Sequence, residues 1–382
     1  MPKVKLEKEL QTGIAKFIAY GKASISSDTF PENTNESQSG YVYKRVAFPV
    51  KIGDTNSIYV QMMGGYSKKK PVIYVFNKDT NANMEIDWDL RDNEEVLKNV
   101  ADFSYINVAL EKDDKGKLIR KQFLSELDAI DYMSKHLNDG DDIYVSGNIE
   151  YQRYNGKISR SFNITSIGLT EKEHALEAEM RQTYLLESTA LPRDWEKQLR
   201  ENHEITVNAF VPQYIGKENG KEIKKILAFP QQFAFQATDD NIENMIKVVE
   251  RFLKVKKGVV RELALRNEII HGYEKVKGEI KRNPEVMELI ELGIMTEEQL
   301  EQEETIGNRS VDKVIFKRPM TIVKDDVTKI NMADKYAPEA LVVVEDDEDI
   351  EEGTSVFEED NKDDSADASD TEEDVFGGLF ND

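Results

Sequence analysis

Residues 141–169 constrain the fold of this chain more than any other stretch. Ile143, Val145, Gly147, Ile149 and Tyr151 alternate with Tyr144, Ser146, Asn148, Glu150 and Gln152, the period of a half-buried strand. Tyr154-Asn155-Gly156-Lys157 follows. Asn-Gly between alternating runs favours a tight hairpin turn, because both positions tolerate positive φ. The return run sets Ile158, Phe162 and Ile164 on one face and Ser159, Ser161, Asn163 and Thr165 on the other.

A second hairpin opens the second half of the chain. Ile205, Val207, Ala209 and Val211 alternate with Glu204, Thr206, Asn208 and Phe210, the turn is Lys217-Glu218-Asn219-Gly220-Lys221, and the return run carries Leu227, Phe229, Phe233 and Phe235. Pro230 within that run implies an edge or a bulge. Further strands are expected over 259–272, burying Val259, Leu263, Leu265 and Ile269, and over 311–324, with Val314, Phe316, Met320 and Ile322. In the first half, residues 13–25 and 41–52 read as strands joined by a polar loop, and 58–63 and 72–76 flank a turn with Gly64-Gly65 and Lys68-Lys69-Lys70. Leu127, Ile130, Met133 and Leu137 recur at helical spacing before Gly140, as a helix with a C-terminal stop would. A second helix is expected over 241–254, capped by Asp239 or Asp240, with Ile242, Met245, Ile246, Val249 and Leu253 inward. Residues 170–200 read two ways. Thr170-Glu171-Lys172-Glu173 resembles a capping box leading into a helix over 175–182, while 180–186 suits the first strand of a second domain. An excursion over 283–304 reads as helical.

The order of elements therefore repeats: strands, a helix, then closing strands. Five strands with a helix between the third and fourth is the order of an OB-fold, a small Greek-key barrel. The expected class is mainly β with some α, as two tandem OB-like five-stranded barrels and a disordered acidic tail. The expected division is 1–169, 170–330 with the helical insertion, and 331–382 as linker and tail.

That tail dominates the charge. Residues 345–382 hold 18 Asp and Glu against the single Lys362, too charged and too weakly apolar to bury a core. The whole chain is −23, whereas the remaining 344 residues carry 50 basic and 56 acidic side chains. The folded part is nearly balanced, and a basic groove is compatible with it. The tail ends in Val375-Phe376-Gly377-Gly378-Leu379-Phe380-Asn381-Asp382. Apolar residues in an acidic segment cost solubility unless something uses them, so Val375, Phe376, Leu379 and Phe380 are candidates for docking a partner protein. Solubility alone is the competing role.

The chain resembles the tandem OB-fold single-stranded-DNA-binding proteins of large bacteriophages, in element order and tail design rather than in any motif. The resemblance implies protection of unwound DNA in replication and recombination, and recruitment of replication or recombination proteins through the tail tip. Where many bacterial relatives end in Pro-Phe, Phe380 here is followed by Asn381 and Asp382.

A single strand is held by cations that track phosphates and aromatics that stack on bases. The candidates in the first half are Tyr41, Tyr43, Lys44, Arg45, Tyr66, Lys68, Lys69, Lys70, Tyr144, Arg153, Tyr154, Lys157 and Arg160. In the second half they are Phe210, Tyr214, Lys224, Lys225, Arg261, Arg266, Lys313, Lys317 and Arg318. Each has a plainer reading, since strands favour aromatics as core and cross-strand partners.

Signals for catalysis are poor, and no cofactor is implied. There is no GxxxxGK[ST], and 216–221 has the wrong spacing for one. His136, His174, His203 and His271 are scattered, and Cys is absent, which argues against a zinc site and fits a reducing compartment. Glu85, Asp87 and Asp89 alternate as a metal-dependent nuclease would need, but a solvated strand face with Ile86 and Trp88 inward explains them more simply. No run of about 18 apolar residues exists to span a membrane. A soluble intracellular protein without enzymatic activity is expected. An adaptor whose barrels bind polypeptide is the competing class.

Overall fold

The computed structural model describes residues 6–154, 157–170, 174–218, 221–277, 305–324 and 326–344, with isolated positions between 290 and 296. The tail tip, Asn155-Gly156 and most of the 283–304 excursion lie outside the described residues.

Two five-stranded rings form, with the same connectivity. In the first, β1 (Ala15–Ala23), β2 (Tyr41–Lys51), β3 (Ser57–Ser67), β4 (Asp142–Tyr154) and β5 (Lys157–Leu169) close in the order β1-β2-β3-β5-β4 and back to β1. All contacts are antiparallel except β3 with β5, where Phe162 pairs with Val60 and Asn163 with Gln61. In the second ring, β6 (Glu177–Leu186), β7 (Glu204–Glu218), β8 (Lys221–Gln236), β9 (Val260–Lys277) and β10 (Thr305–Pro319) repeat that order. The parallel contact recurs at Ala234 with Ile315. Both rings are OB-like barrels, and the mainly β class expected from sequence is what the structure shows. Of the two readings of 170–200, the strand is correct: Ala178, Met180, Gln182, Tyr184 and Leu186 are all buried.

Helix α1 (Glu126–His136) lies between the third and fourth strands of the first barrel. Ser125 caps it, its Oγ accepting from the Leu127 N–H at 3.1 Å, and Ala129, Ile130 and Met133 seal the barrel core. Burying Ile130 and Met133 contributes roughly 1.5–3 kcal/mol each. Helix α2 (Trp195–Asn202) follows β6, and α3 (Ile242–Val248), continued by a π turn to Leu253, takes the place of α1 in the second barrel. The expected Asp239 or Asp240 cap is not formed. Asn241 is the N-cap, and its Oδ1 closes a turn by accepting from the Thr238 N–H instead.

The first barrel carries two insertions between β3 and α1. Hairpin Val72–Asn77 with Ala82–Asp87 has its own small core of Val75, Ile86, Val100 and Leu124. Hairpin Ile106–Lys112 with Leu118–Phe123 runs alongside β5.

The barrels are joined through their first strands. β1 meets β2 only at Lys22 and Ala23, and β6 meets β7 only at Leu185. The freed lengths pair with each other, from Ala15 with Gln182 to Tyr20 with Glu177. The β2–β3 turn docks on β9: the Tyr273 N–H donates to the Thr55 carbonyl and the His271 N–H to Asn56 Oδ1. Only glycine fits at 272, where a Cβ would lie 1.8 Å from the Thr55 oxygen. Apolar packing runs unbroken from one barrel into the other.

Residues 331–344, expected as the start of a linker, are built into the second barrel. Strand Met332–Tyr336 pairs with β9, and Tyr336 is fully buried. Val342 and Val344 then bond both backbone groups of Ala228 on β8, at an edge that β10 leaves open. Glu7 ties the other end of the chain to the same place, bonding Lys335 and Ala337.

Candidate nucleic-acid interface

Strand alternation decides what the first barrel offers on its outer face. Odd positions of β2 and β3 point outward, because Val42, Val46, Phe48, Ile58, Val60 and Met62 fill the core. Tyr41, Tyr43 and Arg45 therefore share a face, opposite Ser67, Gly65 and Met63. The two tyrosine rings stack at 6.1 Å between centroids. Gly65 opposite Tyr43 on β3 places no side chain against its ring from that strand, while Asn35 pairs with Tyr43 on the other edge. The Arg45 guanidinium donates to Gln61 Oε1 at 3.0 Å, and Gln61 Nε2 donates to Asn163 Oδ1 at 2.9 Å. This ladder crosses three strands, and Tyr59 and Met63 stand exposed beside it. The sequence reading missed Tyr59, Gln61, Met63 and Asn163 as members of this face. For Tyr59, Gln61 and Met63 the signal was the alternation along β3, hidden by reading 58–63 only as the flank of a turn. Asn163 is on the polar face of β5 expected from sequence, but that pattern does not join it to this site.

Lys68, Lys69 and Lys70 follow at the end of β3, all exposed. Lys68 pairs with Glu36 and Lys70 with Glu85. The Glu85 carboxylate, with help from Tyr74, raises the Lys70 ammonium above its ordinary value. Tyr66 packs on Trp88 at 4.3 Å, below the strand face. Tyr144 is half-buried on β4 between Tyr20 and Gly168. Arg153 and Lys157 lie at the β4–β5 hairpin, as does the backbone of Tyr154.

Three candidates are spent on structure. Lys44 is an inward, even position of β2, buried, and salt-bridged to Asp131 of α1 at 2.5 Å. Arg261 is buried too. It pairs with Asp334 at 2.6 Å and donates to the carbonyls of Arg251, Phe252 and Lys254, which terminate the helical segment after α3. Arg160 lies over Phe162 and reaches Asp312 of the second barrel at 3.2 Å. In each case alternation set the side chain inward or toward the neighbouring barrel, where a cation needs a carboxylate.

The second barrel's remaining candidates do not gather into one exposed face. Phe210 packs with Ile226 and Leu341 against Tyr336 and Ala340, under the C-terminal segment. Arg266 pairs with Glu179, Lys313 with Glu204, Lys317 with Glu268 and Lys224 with Glu222. Burial works against ionising Glu204, yet the Gln236 amide and the Lys313 ammonium hold its carboxyl below the usual range. Tyr214 and Lys225 are exposed on the β7–β8 hairpin, and Arg318 lies opposite Arg266.

Glu85, Asp87 and Asp89 are exposed while Ile86 and Trp88 are buried, the solvated-face arrangement. Among the described residues no group of three or more His, Asp or Glu is placed to hold a metal, and no helix is long and apolar enough to cross a membrane.

No protein family and no curated protein matches the sequence. Among solved structures, the chain is similar to the crystal structure of a deletion mutant of the single-stranded DNA binding protein from Thermus aquaticus. Identity is 11%, the match covers 72% of this chain and 98% of that one, and the TM-score is 0.29. A TM-score that low does not establish a shared arrangement, so the description as OB-like barrels rests on the strand pairing.

Proposed function

We propose that this chain is a non-catalytic single-stranded-DNA-binding protein acting in replication or recombination. The observation that carries this reading is the outer face of β2 and β3 on a closed OB-like barrel. Tyr41, Tyr43 and Tyr59 supply flat surfaces, Arg45 a cation, and Gln61 and Asn163 polar edges. Strands two and three are the binding face of OB barrels that take oligonucleotides. Aromatic stacking works for any base, so little sequence preference follows from this face alone. The acidic tail would compete with DNA for the cations, and its tip, Val375, Phe376, Leu379 and Phe380, would recruit replication or recombination proteins. Residues 1–169 would carry this interface, and the second unit would run from 170 to 344, since 332–344 fill its edges, with the bacteriophage resemblance as context.

Polypeptide binding is a second reading, favoured by one feature. The β8 edge at Ala228 accepts an extended segment of the chain itself, residues 342–344, as strand-addition sites do.

Fluorescence anisotropy of a labelled dT oligomer separates the two. At roughly 4–16 nucleotides per barrel, an oligomer of about 30 is long enough to fill the face. Full-length protein and protein ending at residue 344 should both bind it. Affinity should fall steeply with salt through counterion release, and the shorter form should bind equally or more tightly. No binding by either form would reject the proposal in favour of the adaptor.

A further inference from the structure

At the end of the β2–β3 face lies a cleft of about 550 Å³, inside the ~300–1,000 Å³ range of small-ligand sites. Tyr41, Tyr66, Tyr74, Trp88, Lys70 and Glu126 line it. Its floor is a built stack: Tyr66 packs on Trp88, and the Arg91 guanidinium lies 4.4 Å from the Trp88 ring while bonding Asp128 at 2.6 Å. Tyr74, two-thirds exposed, stands at the mouth, its hydroxyl 3.4 Å from Lys70 Nζ.

Glu126 is the unusual member. It occupies the first turn of α1, and its carboxylate lies over Gly64, where a Cβ would come within 2.2 Å of Oε2. Burial raises its carboxyl above the ordinary value. Among the described residues no Lys or Arg pairs with it. A half-buried carboxylate without a cation is costly and marks a site where an external donor is wanted.

We propose that this cleft holds one unstacked guanine of the bound strand, with its Watson–Crick edge on Glu126. An ionised carboxylate only accepts, through two oxygens side by side. Guanine alone offers two adjacent donors on that edge, N1–H and the N2 amino group. Thymine sets two carbonyls around its single N3–H, while adenine and cytosine each place a ring acceptor beside their amino group. Tyr41 and Tyr66 supply stacking surface, and Lys70 sits where a flanking phosphate would displace Glu85. The two guanine donors favour the ionised carboxylate and offset its burial. A base-specific subsite would thus terminate an otherwise indifferent face, and this rests on the reading of that face as a single-strand interface.

The test uses full-length protein and a labelled dT oligomer of about 30 nucleotides, competed with the same oligomer carrying one central dG, dA, dC or no change. Wild-type protein should prefer the dG oligomer by about tenfold, the effect of one good bidentate base contact. Glu126→Gln presents an amide that clashes with one guanine donor, so the dG-to-dT ratio should fall to about one. Tight dT binding without dG preference in the wild type would overturn the guanine site and leave the interface standing. A dG preference that survives Glu126→Gln would overturn the role of Glu126. Failure to bind any oligomer would overturn the interface, and the guanine site with it. The wild-type base series alone decides the matter should the variant not fold.

Discussion

The two barrels share strand order, helix position and parallel closure, yet present opposite surfaces on their second and third strands. On the first barrel that face is open: Tyr41, Tyr43 and Arg45 stand over Gly65 and Met63, and polar side chains link β2, β3 and β5. On the second, Phe210 lies beneath residues 336–341, and residues 342–344 occupy the β8 edge. Asn208 bonds Gln232, and Glu204 bonds Gln236 and Lys313. One strand order thus carries two different surfaces. In our account the first barrel meets the nucleic acid, and the second supplies rigidity and the point from which the acidic tail departs.

The largest expected effect concerns what covers the second barrel. Tyr336→Ala removes a fully buried ring and a hydroxyl that donates to Glu262 at 2.9 Å. It should cost about 3–5 kcal/mol, the range for large aromatic truncations, in chemical denaturation. Ending the chain at residue 344 should leave stability unchanged. Equal, small effects of both changes would mean that 331–344 is a linker after all.

The faces can be compared directly by single substitutions. Tyr43→Ala should weaken oligo-dT binding by ~1–3 kcal/mol, the worth of one stacked base. Tyr214→Ala on the second barrel should have a clearly smaller effect in the same anisotropy titration. A reversed order would move the interface to the second barrel.

Cations sharpen the contrast further. Arg45→Ala should reduce the salt slope of binding by about one unit, as the loss of one phosphate contact does. Lys44→Met, next to it in sequence but facing α1, should leave the slope unchanged and lower the melting temperature. A slope change at Lys44 would show that Asp131 does not hold it.

The smallest effect is a pH dependence at the barrel junction. The His271 imidazole beside it, and then Arg160, hold the Asp312 carboxyl below its ordinary range. A lowered native value adds stability that is complete above the unfolded value and is lost as pH falls through the native one. Wild-type protein should therefore lose more stability than Asp312→Asn on acidification below about pH 4. The difference should be small, because the carboxylate is largely exposed. Parallel melting curves across that range would remove Asp312 from the junction's energetics.

Much of the fold was legible because period-two patterning survives in long strands. The 143–151 and 205–211 alternations correspond to β4 and β7 with the inward residues as read. The helix 126–136 showed itself through Leu127, Ile130 and Met133. Residues 332–344 did not, because short pieces of mixed polarity acquire their order only from the β8 and β9 edges they fill. The reciprocal pairing of β1 with β6 was also hidden, since no local pattern says which neighbour a strand will choose. For the candidate face, composition alone could not separate Lys44 from Arg45. Their difference is one step of strand alternation, and only the buried Val42 and Val46 fix which side is out. Lys224 and Arg266 illustrate the other obstacle: their carboxylate partners, Glu222 and Glu179, are supplied by local register and by tertiary pairing.

The most direct test of the contrast between the faces is photo-crosslinking of the full-length protein to oligo-dT carrying 5-iodouracil, with the linked peptides mapped. The account predicts adducts within residues 41–67, on Tyr41, Tyr43 or Tyr59, and none within 204–236. Adducts confined to 204–236, or shared equally between the two stretches, would contradict it.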